Sequence, residues 1–462
     1  MIDGFRLVAP RIQPPLDPGF RPPVLAHRAF EAAAREAGAV PLVFGLERTD
    51  GTLSRFETVA FPEGHPRAAA NLGHAERLFK FLLWQRGGYR AFVGGPPSVA
   101  AHLRDAYAPG GARAFDAGFM GKDVYGRAFE VLGCDPEAVP QARESGKPLG
   151  RHLDGCRIGF DLGGSDRKVS AVLDGKAVFS EEVVWEPKTQ ADPGYHEREL
   201  VAGLERAASH LPRVDAIGGS AAGIYVDNEV RIASLFRGIP EARYPEVRGL
   251  FHRIRARFGV PLEVANDGDV TALAGSMSLE DNGILGLALG TSQAAGYVDL
   301  QGRILGWLNE LAFAPVDLGP EGAVDEWSGD RGVGSMYFSQ QGVFRLARRA
   351  GLEVPEGLPD AERLKAVQAH LEAGHPGGAE IWKSIGVWLG YALAHYAAFY
   401  ELRHVLILGR CTSGRGGELI LAGARVVLRQ EFPELSFAIQ LPDERSRRVG
   451  QSIAAASLPA LP

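Results

Sequence analysis

The chain has little cysteine, no long apolar run and no excess of positive charge. Its three cysteines, Cys134, Cys156 and Cys411, lie far apart and form no CxxC pair. A disulfide framework or a cysteine-rich zinc site is therefore not expected, and a reducing cytoplasm fits. No apolar run reaches about 18 residues, so no membrane-spanning helix is expected. The net charge of −6 gives no reason to expect nucleic acid or an anionic membrane as the main partner.

Length and composition are those of a multidomain globular protein. Hydrophobic residues make up 45% of the chain and charged residues 23%, which are ordinary values for such proteins. The 462 residues exceed what one hydrophobic core usually accommodates, so two or three domains are expected. The first residues lack the cationic and then apolar pattern of a secretory signal, and we therefore expect a cytoplasmic location.

The first 150 residues differ in pattern from the rest. A proline-rich arm is followed by a predicted helix, a predicted hairpin and a further predicted helix, at Val24–Ala37, Pro41–Phe61 and within Phe115–Leu132. After Arg157, predicted strands alternate with predicted helices, which is typical of a largely parallel α/β sheet.

The segment Ile158–Val172 has the sequence IGFDLGGSDRKVSAV and predicts a strand, a glycine turn and a second strand. Asp161 ends the first strand, and Gly163, Gly164 and Ser165 follow it. A carboxylate at this point can hold a divalent cation through water, and glycines allow backbone N–H groups to approach a triphosphate. The alternative is an ordinary glycine hairpin, because short glycine motifs also match by accident.

Four further turns follow predicted strands. They are Ser220–Gly223, Asn266–Asp269, Gly290–Ser292 and Gly409–Gly417. Ligands of α/β sheets bind beyond the carboxyl ends of the strands. The five turns in this order therefore predict one cleft between two lobes.

These motifs resemble those of the ROK family of sugar kinases. The family's DLGGTK is here DLGGSD, NDANAAAL is here VANDGDVTAL (Val264–Leu273), and LGTGxGGG is here LGTSQAAG (Leu289–Gly296). The family's adenosine motif, a helix, a strand and a glycine turn, resembles Ile385–Gly414. The resemblance runs from Arg157 to the C-terminus. It implies an α/β, two-lobed actin/hexokinase-like (RNase H-like) ATPase fold, with an additional N-terminal α/β region.

The resemblance also implies an organisation and an activity. The expected parts are an N-terminal extension of unknown role (1–150), a first lobe (156–272) completed by a C-terminal helix (444–458), and a second lobe (273–443). The expected activity is ATP- and Mg²⁺-dependent phosphorylation of a sugar or sugar-like polyol. A homodimer is expected as well, with a small-molecule sugar as the substrate.

The site residues carried over by the resemblance are as follows. Asp267 matches the catalytic base, and Asp161 would order Mg²⁺ through water. The expected sugar-binding residues are Asn266, Glu310, Glu326, Gly223 and Ser234. The expected nucleotide-binding residues are Gly163, Gly164, Ser165, Gly290, Thr291, Ser292, Gly409 and Gly414. The competing interpretations are plain turn chemistry for Asn-Asp-Gly and solvated surface side chains for the two glutamates.

Several positions depart from the family pattern. Phe313 stands where the family's GExGH motif has His, and Ser234 stands where the family usually has a sugar-binding Asn. The family's zinc-binding His and cysteine cluster are missing between Glu310 and Trp327, so no structural zinc is expected and packing must hold this segment. Three glycines of the second phosphate motif are replaced, by Ser292, Ala294 and Ala295.

These departures leave other functions open. A regulator or pseudokinase would keep the cleft without turnover. An activator ATPase would need paired cysteines for an iron–sulfur cluster, which the sequence does not offer. ROK repressors carry an N-terminal DNA-binding module, but residues 1–150 hold 18 basic and 16 acidic residues, without the basic excess of a DNA reader.

Overall fold

The computed structural model describes residues 4–144, 149–441 and 450–461. Within these ranges the strands form three larger sheets and one two-stranded ribbon. Each larger sheet belongs to one of three consecutive parts of the chain, which we call the N-terminal region, the first lobe and the second lobe.

The N-terminal region begins with an extended arm and continues with four strands and four helices. In chain order these are α1 (Pro23–Glu36), β1 (Val40–Glu47), β2 (Leu53–Ala60), α2 (Ala70–Arg86), β3 (Arg90–Gly94), α3 (Pro97–Ala106), α4 (Ala114–Gly118) and β4 (Glu130–Cys134). The sheet order is β2-β1-β3-β4, with β1 antiparallel to both neighbours and β3 parallel to β4. The sequence correctly predicts the β1–β2 hairpin.

The helix predicted within Phe115–Leu132 is present and ends at Tyr125. α4 continues as a π-helical turn that ends at Tyr125, where Gly126 adopts a φ of 64°. A glycine in this left-handed conformation is a common helix stop. The chain then pairs with β3 as a strand that starts at Glu130, so a sheet neighbour overrides the local helical pattern.

The first lobe contains seven strands and four helices. They are β5 (Cys156–Leu162), β6 (Asp166–Leu173), β7 (Lys176–Val184), α5 (Pro193–Ala208), β8 (Ala216–Ala221), β9 (Ile224–Val226), β10 (Glu229–Ile232), α6 (Tyr244–Arg248), α7 (Leu250–Phe258), β11 (Leu262–Asn266) and α8 (Asp267–Leu279). Its sheet has the order β11-β8-β5-β6-β7. Strands β11, β8 and β5 run parallel to one another. Strand β6 is antiparallel to both of its neighbours, β5 and β7.

The second lobe repeats part of this plan. Its elements are β12 (Ile284–Leu289), β13 (Gln293–Val298), α9 (Gln340–Arg349), α10 (Asp360–Glu372), α11 (Pro376–Tyr396), β14 (His404–Leu408), α12 (Arg415–Glu431) and β15 (Ala438–Gln440). β12 pairs with β13 in antiparallel and with β14 in parallel orientation. Like the first lobe, it therefore opens with a strand, a glycine turn and an antiparallel return strand.

The last described helix, α13 (Gly450–Ala456), packs against β5, β8 and α8. The chain thus returns to the first lobe at its end. The sequence predicts a C-terminal helix over 444–458, and residues 444–449 of that prediction lie outside the described residues. No helix in the described ranges has both the length and the apolarity needed to cross a membrane.

The apolar core shows that the N-terminal region is not a loosely attached module. One continuous cluster of buried side chains joins Trp84 of α2 with Trp388 and Tyr391 of α11 and with the β12–β14 sheet. The first lobe has a separate cluster around Ile217 and Phe251. Since burying one large apolar side chain contributes about 1.5–3 kcal/mol, separating the N-terminal region from the second lobe would cost much of the stability of both.

Candidate active site

A narrow cleft of ≈240 Å³ lies where the two lobes meet. Its lining includes Asp161 and Gly163 from the first phosphate motif, Asp267 and Thr271 from α8, and Ala294 from β13. The lobes approach closely here, because a side chain at Gly268 would collide with the carbonyl of Ala295. The fold therefore brings the acidic and glycine turns of both lobes to one place.

Asp161 occupies the end of β5 and faces this cleft. Its Oδ1 accepts a hydrogen bond from Ser220 Oγ at 2.7 Å, and Gln451 Nε2 lies 3.4 Å from the same oxygen. Burial, together with the nearby charge of Asp267, raises the pKa of Asp161 to about 6. Two partly desolvated carboxylates so close together attract a cation.

The first glycine turn leaves backbone donors free. Gly163 N–H donates to the carbonyl of Asp166 at 2.9 Å and closes the turn between β5 and β6. The N–H groups of Gly164 and Ser165 have no acceptor in the part of the chain that the structure describes. Unpaired amides of successive residues form an anion-binding concavity.

The glycine turns Gly290–Ser292 and Gly409–Gly417 lie against each other. Gly290 N–H donates to Ser292 O at 3.0 Å and closes the turn between β12 and β13. Gly409 has a φ of 102°, and a Cβ there would collide with the backbone of Leu289. Gly414 precedes α12, whose N-terminal N–H groups and dipole favour an anion.

The turn after β11 separates the narrow cleft from a larger cavity. Asn266 caps α8, because its Oδ1 accepts from Gly268 N–H at 2.8 Å and its Nδ2 donates to Gly223 O at 2.7 Å. Asp267, the first residue of α8, lines the narrow cleft. Asn266 and Asp269 line the larger cavity. Burial raises the pKa of Asp267.

The larger cavity has a volume of ≈550 Å³ and is lined by all three parts of the chain. The first lobe contributes 223–228 and 263–266, the second lobe contributes Trp307, and the N-terminal region contributes the β1–β2 turn with Arg48, Asp50 and Thr52. Its walls combine aromatic faces with carboxylate, amide and hydroxyl groups, a combination suited to a polar small molecule.

Two further carboxyl groups adjoin Asp267. Asp269 Oδ1 accepts from Tyr297 N–H at 3.1 Å and from Asn309 Nδ2 at 3.0 Å, and burial raises its pKa to about 7. Burial also raises the pKa of Glu310 to about 7, with further contributions from Asp267 and Asp269. At neutral pH the cluster of Asp267, Asp269 and Glu310 therefore holds protons that isolated carboxylates would have released.

The N-terminal region positions Glu310 and Asn309 directly. Their backbone N–H groups donate to the carbonyls of Trp84 and Gln85, at 3.0 and 2.8 Å, at the end of α2. The rings of Trp84 and Phe313 lie 4.4 Å apart. The segment 304–333 contains little regular secondary structure, so these contacts fix its path.

A buried ion cluster fixes the far end of the same segment. Asp330 accepts from Lys80 at 3.0 Å, Arg77 at 3.1 Å and Arg113 at 2.8 Å, and Lys80 also contacts Asp116 at 2.9 Å. Lys80 is fully buried, and the three cations hold the pKa of Asp330 well below its usual range. The N-terminal region thus anchors the segment in which the sequence lacks zinc ligands.

Two expected sugar-binding residues lie elsewhere. Glu326 is exposed, because the preceding Asp325 turns inward to accept from Ser328 and Ser335. Ser234 is exposed between the buried Ala233 and Leu235. Neither residue lines either cavity, so nothing in their positions supports the sugar-binding roles expected of them.

Sequence reasoning missed three residues of the site. Asp269 stands in the Asn-Asp-Gly-Asp turn, and its register with Asp267 on α8 is a signal that could have found it. Asn309 precedes Glu310 and joins Asp269 to Tyr400, whose hydroxyl donates to it at 2.9 Å. Tyr225, near enough to Asp267 for that charge to raise its pKa, follows no motif in the sequence.

Comparison with known proteins supports the fold. The structure of a ROK hexokinase from Thermus thermophilus matches with a TM-score of 0.52 and 19% identity, over 65% of this chain and 96% of that one. A ROK-family transcriptional regulator, a homologue of the E. coli MLC protein, matches with a TM-score of 0.51 and 18% identity, over 66% and 78%. Neither a protein-family model nor a curated protein matches the sequence significantly.

At these identities the likeness concerns the fold alone, and the expected two-lobed ROK-like α/β fold is confirmed. One of the two structures is named as an enzyme and the other as a regulator. The fold therefore does not by itself decide between turnover and binding.

Proposed function

We propose that this protein transfers the γ-phosphoryl group of ATP to a hydroxyl of a sugar or sugar-like polyol. The observation that carries the proposal is the position of Asp267. It begins α8 and lines the narrow cleft together with Asp161 and Gly163, while its neighbours Asn266 and Asp269 line a polar cavity of ≈550 Å³. A phosphate donor on one side and a hydroxyl acceptor on the other would meet at this carboxylate.

The narrow cleft fits the triphosphate. The free N–H groups at Gly164 and Ser165, the turn at Gly290–Ser292 and the start of α12 after Gly414 supply donors without side-chain obstruction. Mg²⁺ is usually held by one or two carboxylates together with phosphates and water. Asp161 fits that role through water, and the bound ion would neutralise charge on the phosphates.

Asp267 would act as the general base. The acceptor hydroxyl gives its proton to the carboxylate while its oxygen forms a bond to the γ-phosphorus. The bond from that phosphorus to the β–γ bridging oxygen breaks, and ADP leaves with the electron pair. A positioned base contributes about 10²–10⁴ in rate, and positioning and charge neutralisation supply the rest.

The acceptor would occupy the larger cavity. Asn266 lines this cavity and retains one N–H for a hydrogen bond to a hydroxyl, while Gly223 gives room at the cavity wall. Glu310 lines neither cavity, but it lies near Asp267 and Asp269, where its carboxyl group would meet a hydroxyl at the reacting end of the acceptor. In this proposal residues 4–144 complete the acceptor side, since they position Glu310 and contribute the turn at Asp50–Thr52.

A non-catalytic sugar or nucleotide sensor is the second candidate. The observation that favours it is Ala294, whose methyl group lines the narrow cleft where the resembled motif has glycine. A sensor would bind ligands without transfer. The two candidates differ in what Asp267 contributes, because a sensor has no use for a base.

The test is phosphoryl transfer from ATP, measured by ADP release, across hexoses, amino sugars and polyols, with calorimetry of each acceptor and of AMPPNP. We expect transfer to at least one acceptor, and Asp267→Asn should abolish it while acceptor binding persists. Binding without any transfer would favour the sensor. Absence of transfer, together with no binding of AMPPNP or of any acceptor, would reject both candidates.

A further inference from the structure

The cation that faces the first glycine turn comes from another element. Lys188 lies in the single 3₁₀ turn Pro187–Thr189, between β7 and α5. A Cβ built on Gly164 would collide with its Nζ and Cε atoms. The ammonium group therefore lies directly against the turn whose N–H groups are free.

The backbone around Lys188 is held in place on both sides. Trp185 N–H donates to Ser165 O at 3.1 Å, and its indole Nε1–H donates to Gly163 O at 2.9 Å. The carbonyl of Pro187 lies 3.1 Å from His196 Nε2 of α5. These contacts tie the 3₁₀ turn to the glycine turn, so the backbone of Lys188 is held within reach of the free N–H groups.

The charges near the turn leave a role for this lysine. Asp161 and Asp166 carry two carboxylates, and Lys168 forms an ion pair with Asp166 at 3.5 Å. Lys188 is half-buried and has no ion pair with any described residue. Without it, a triphosphate approaching the turn would meet more negative than positive charge, which opposes binding.

We propose that Lys188 binds the β- and γ-phosphates of the nucleotide at the first glycine turn. The inference rests on the proposed function for the identity of the ligand. The Lys188 ammonium group is a compact positive charge with three hydrogen-bond donors, which suits it to bind phosphate oxygens. The phosphates would then accept from the free amides at Gly164 and Ser165 and from Lys188 Nζ, while Lys168 remains paired with Asp166.

The test uses the full-length protein and isothermal titration calorimetry with Mg²⁺–AMPPNP and with AMP, which lacks the β- and γ-phosphates. For Lys188→Met we expect the Kd for AMPPNP to rise about 10- to 100-fold, as loss of a charge-assisted hydrogen bond predicts. The Kd for AMP should be unchanged, and Lys188→Arg should restore most of the AMPPNP affinity.

Lys168→Met is the matched control, because this lysine lies in β6 next to the same glycine turn and already forms an ion pair with Asp166. It should alter AMPPNP affinity much less than Lys188→Met does. Equal AMPPNP affinity of Lys188→Met and wild type, or equal loss of AMP and AMPPNP affinity, would overturn the inference. If thermal melting shows that Lys188→Met does not fold, the folded Lys188→Arg variant decides instead. A loss of AMPPNP affinity in Lys188→Arg would then overturn the inference.

The inference and the proposed function can fail separately. If no sugar is phosphorylated but Lys188→Met weakens AMPPNP binding selectively, the phosphate site stands and the kinase activity does not. If transfer occurs and Lys188→Met keeps the wild-type KM for ATP, the kinase stands and the role of Lys188 is rejected. A wild-type protein that does not bind AMPPNP rejects both.

Discussion

The proposed nucleotide side and the proposed acceptor side of this molecule are built in different ways. The nucleotide side consists of backbone turns between strands that are neighbours in sequence, such as Gly163–Ser165 between β5 and β6. The acceptor side is assembled from side chains of three separate regions. Its segment 304–333 is fixed by α2 and by the Asp330 ion cluster rather than by secondary structure of its own.

This difference shows where function can be altered independently. Substitutions in the turns should change nucleotide binding, because in the proposed function the turns bind phosphates through their backbone N–H groups. Substitutions in the N-terminal region should change acceptor binding although they lie far away in sequence, because that region holds Glu310 in place. The following predictions are ordered by expected size.

Asp267→Asn should have the largest effect, because both sides meet at this residue. We expect kcat to fall by about 10²–10⁴, with AMPPNP and acceptor affinities retained. Steady-state kinetics and calorimetry measure the two. A loss of AMPPNP affinity comparable to the loss in kcat would place Asp267 on the nucleotide side only.

Asp330→Asn should damage the acceptor side selectively. It leaves three buried cations with one fewer anion, and breaking a buried pair costs about 3–5 kcal/mol. Urea unfolding should show this loss, and the KM for the acceptor should rise without a change in AMPPNP affinity. Glu434→Gln is the control, since its exposed pair with Arg28 also links the N-terminal region to the second lobe and should cost under about 1 kcal/mol. Equal losses in both variants would show that burial does not matter here.

Gly409→Ala should damage the nucleotide side selectively. Its φ of 102° and the collision with Leu289 predict a cost of about 1–3 kcal/mol and weaker AMPPNP binding, with the acceptor KM unchanged. Gly374→Ala serves as the control, because its φ of 76° is also positive but nothing lies within 4 Å of the added methyl group. If both variants bound AMPPNP equally well, the close contact of Gly409 with Leu289 would not matter for nucleotide binding.

Asp269→Asn should change the pH dependence of stability. Because the folded pKa is raised from 3.8 to about 7, the folded state binds more protons than the unfolded state between those values. The unfolding free energy therefore falls as pH rises through this window, by at most about 1.4 kcal/mol per pH unit for one proton. Urea unfolding at pH 5, 6, 7 and 8 should show a smaller fall in the variant than in the wild type. Parallel curves would contradict the raised pKa.

Buried histidines contribute with the opposite sign. His27 is buried against His74, and burial lowers its pKa to about 3. Below the ordinary histidine pKa of 6.5, His27 therefore binds a proton in the unfolded state but not in the folded state. The free energy of unfolding consequently falls as the pH falls. Comparing Asp269→Asn with the wild type at each pH cancels this contribution, because the histidines are the same in both proteins.

The fold could be predicted from the sequence because its signals are local. The Asp161 and Gly163 turn, the Asn266–Asp269 turn and the Gly409 turn each follow a strand, and their order resembles that of a known fold. The point at which the helix within Phe115–Leu132 gives way to a strand is set by the pairing of β4 with β3, an interaction between residues about 40 positions apart. Local pattern alone does not contain such a pairing.

The acceptor side could be predicted only in part. The resemblance identifies Glu310, but the contact of this residue with Trp84 and the cluster around Asp330 depend on residues more than 200 positions away in sequence. The same reasoning selects Glu326, which is exposed, because inward-facing Asp325 determines the direction of its neighbour. Lys188 follows no motif at all.

By itself, the sequence determined the class of fold and the nucleotide turns. Glycines and an acidic residue at strand ends specify backbone geometry locally, whatever packs around them. The tertiary structure alone decided which residues surround the larger cavity and what holds 304–333 in place. Those contacts come from burying α2 against the second lobe, and burial acts between surfaces that are distant in the chain, so no single stretch of sequence records it.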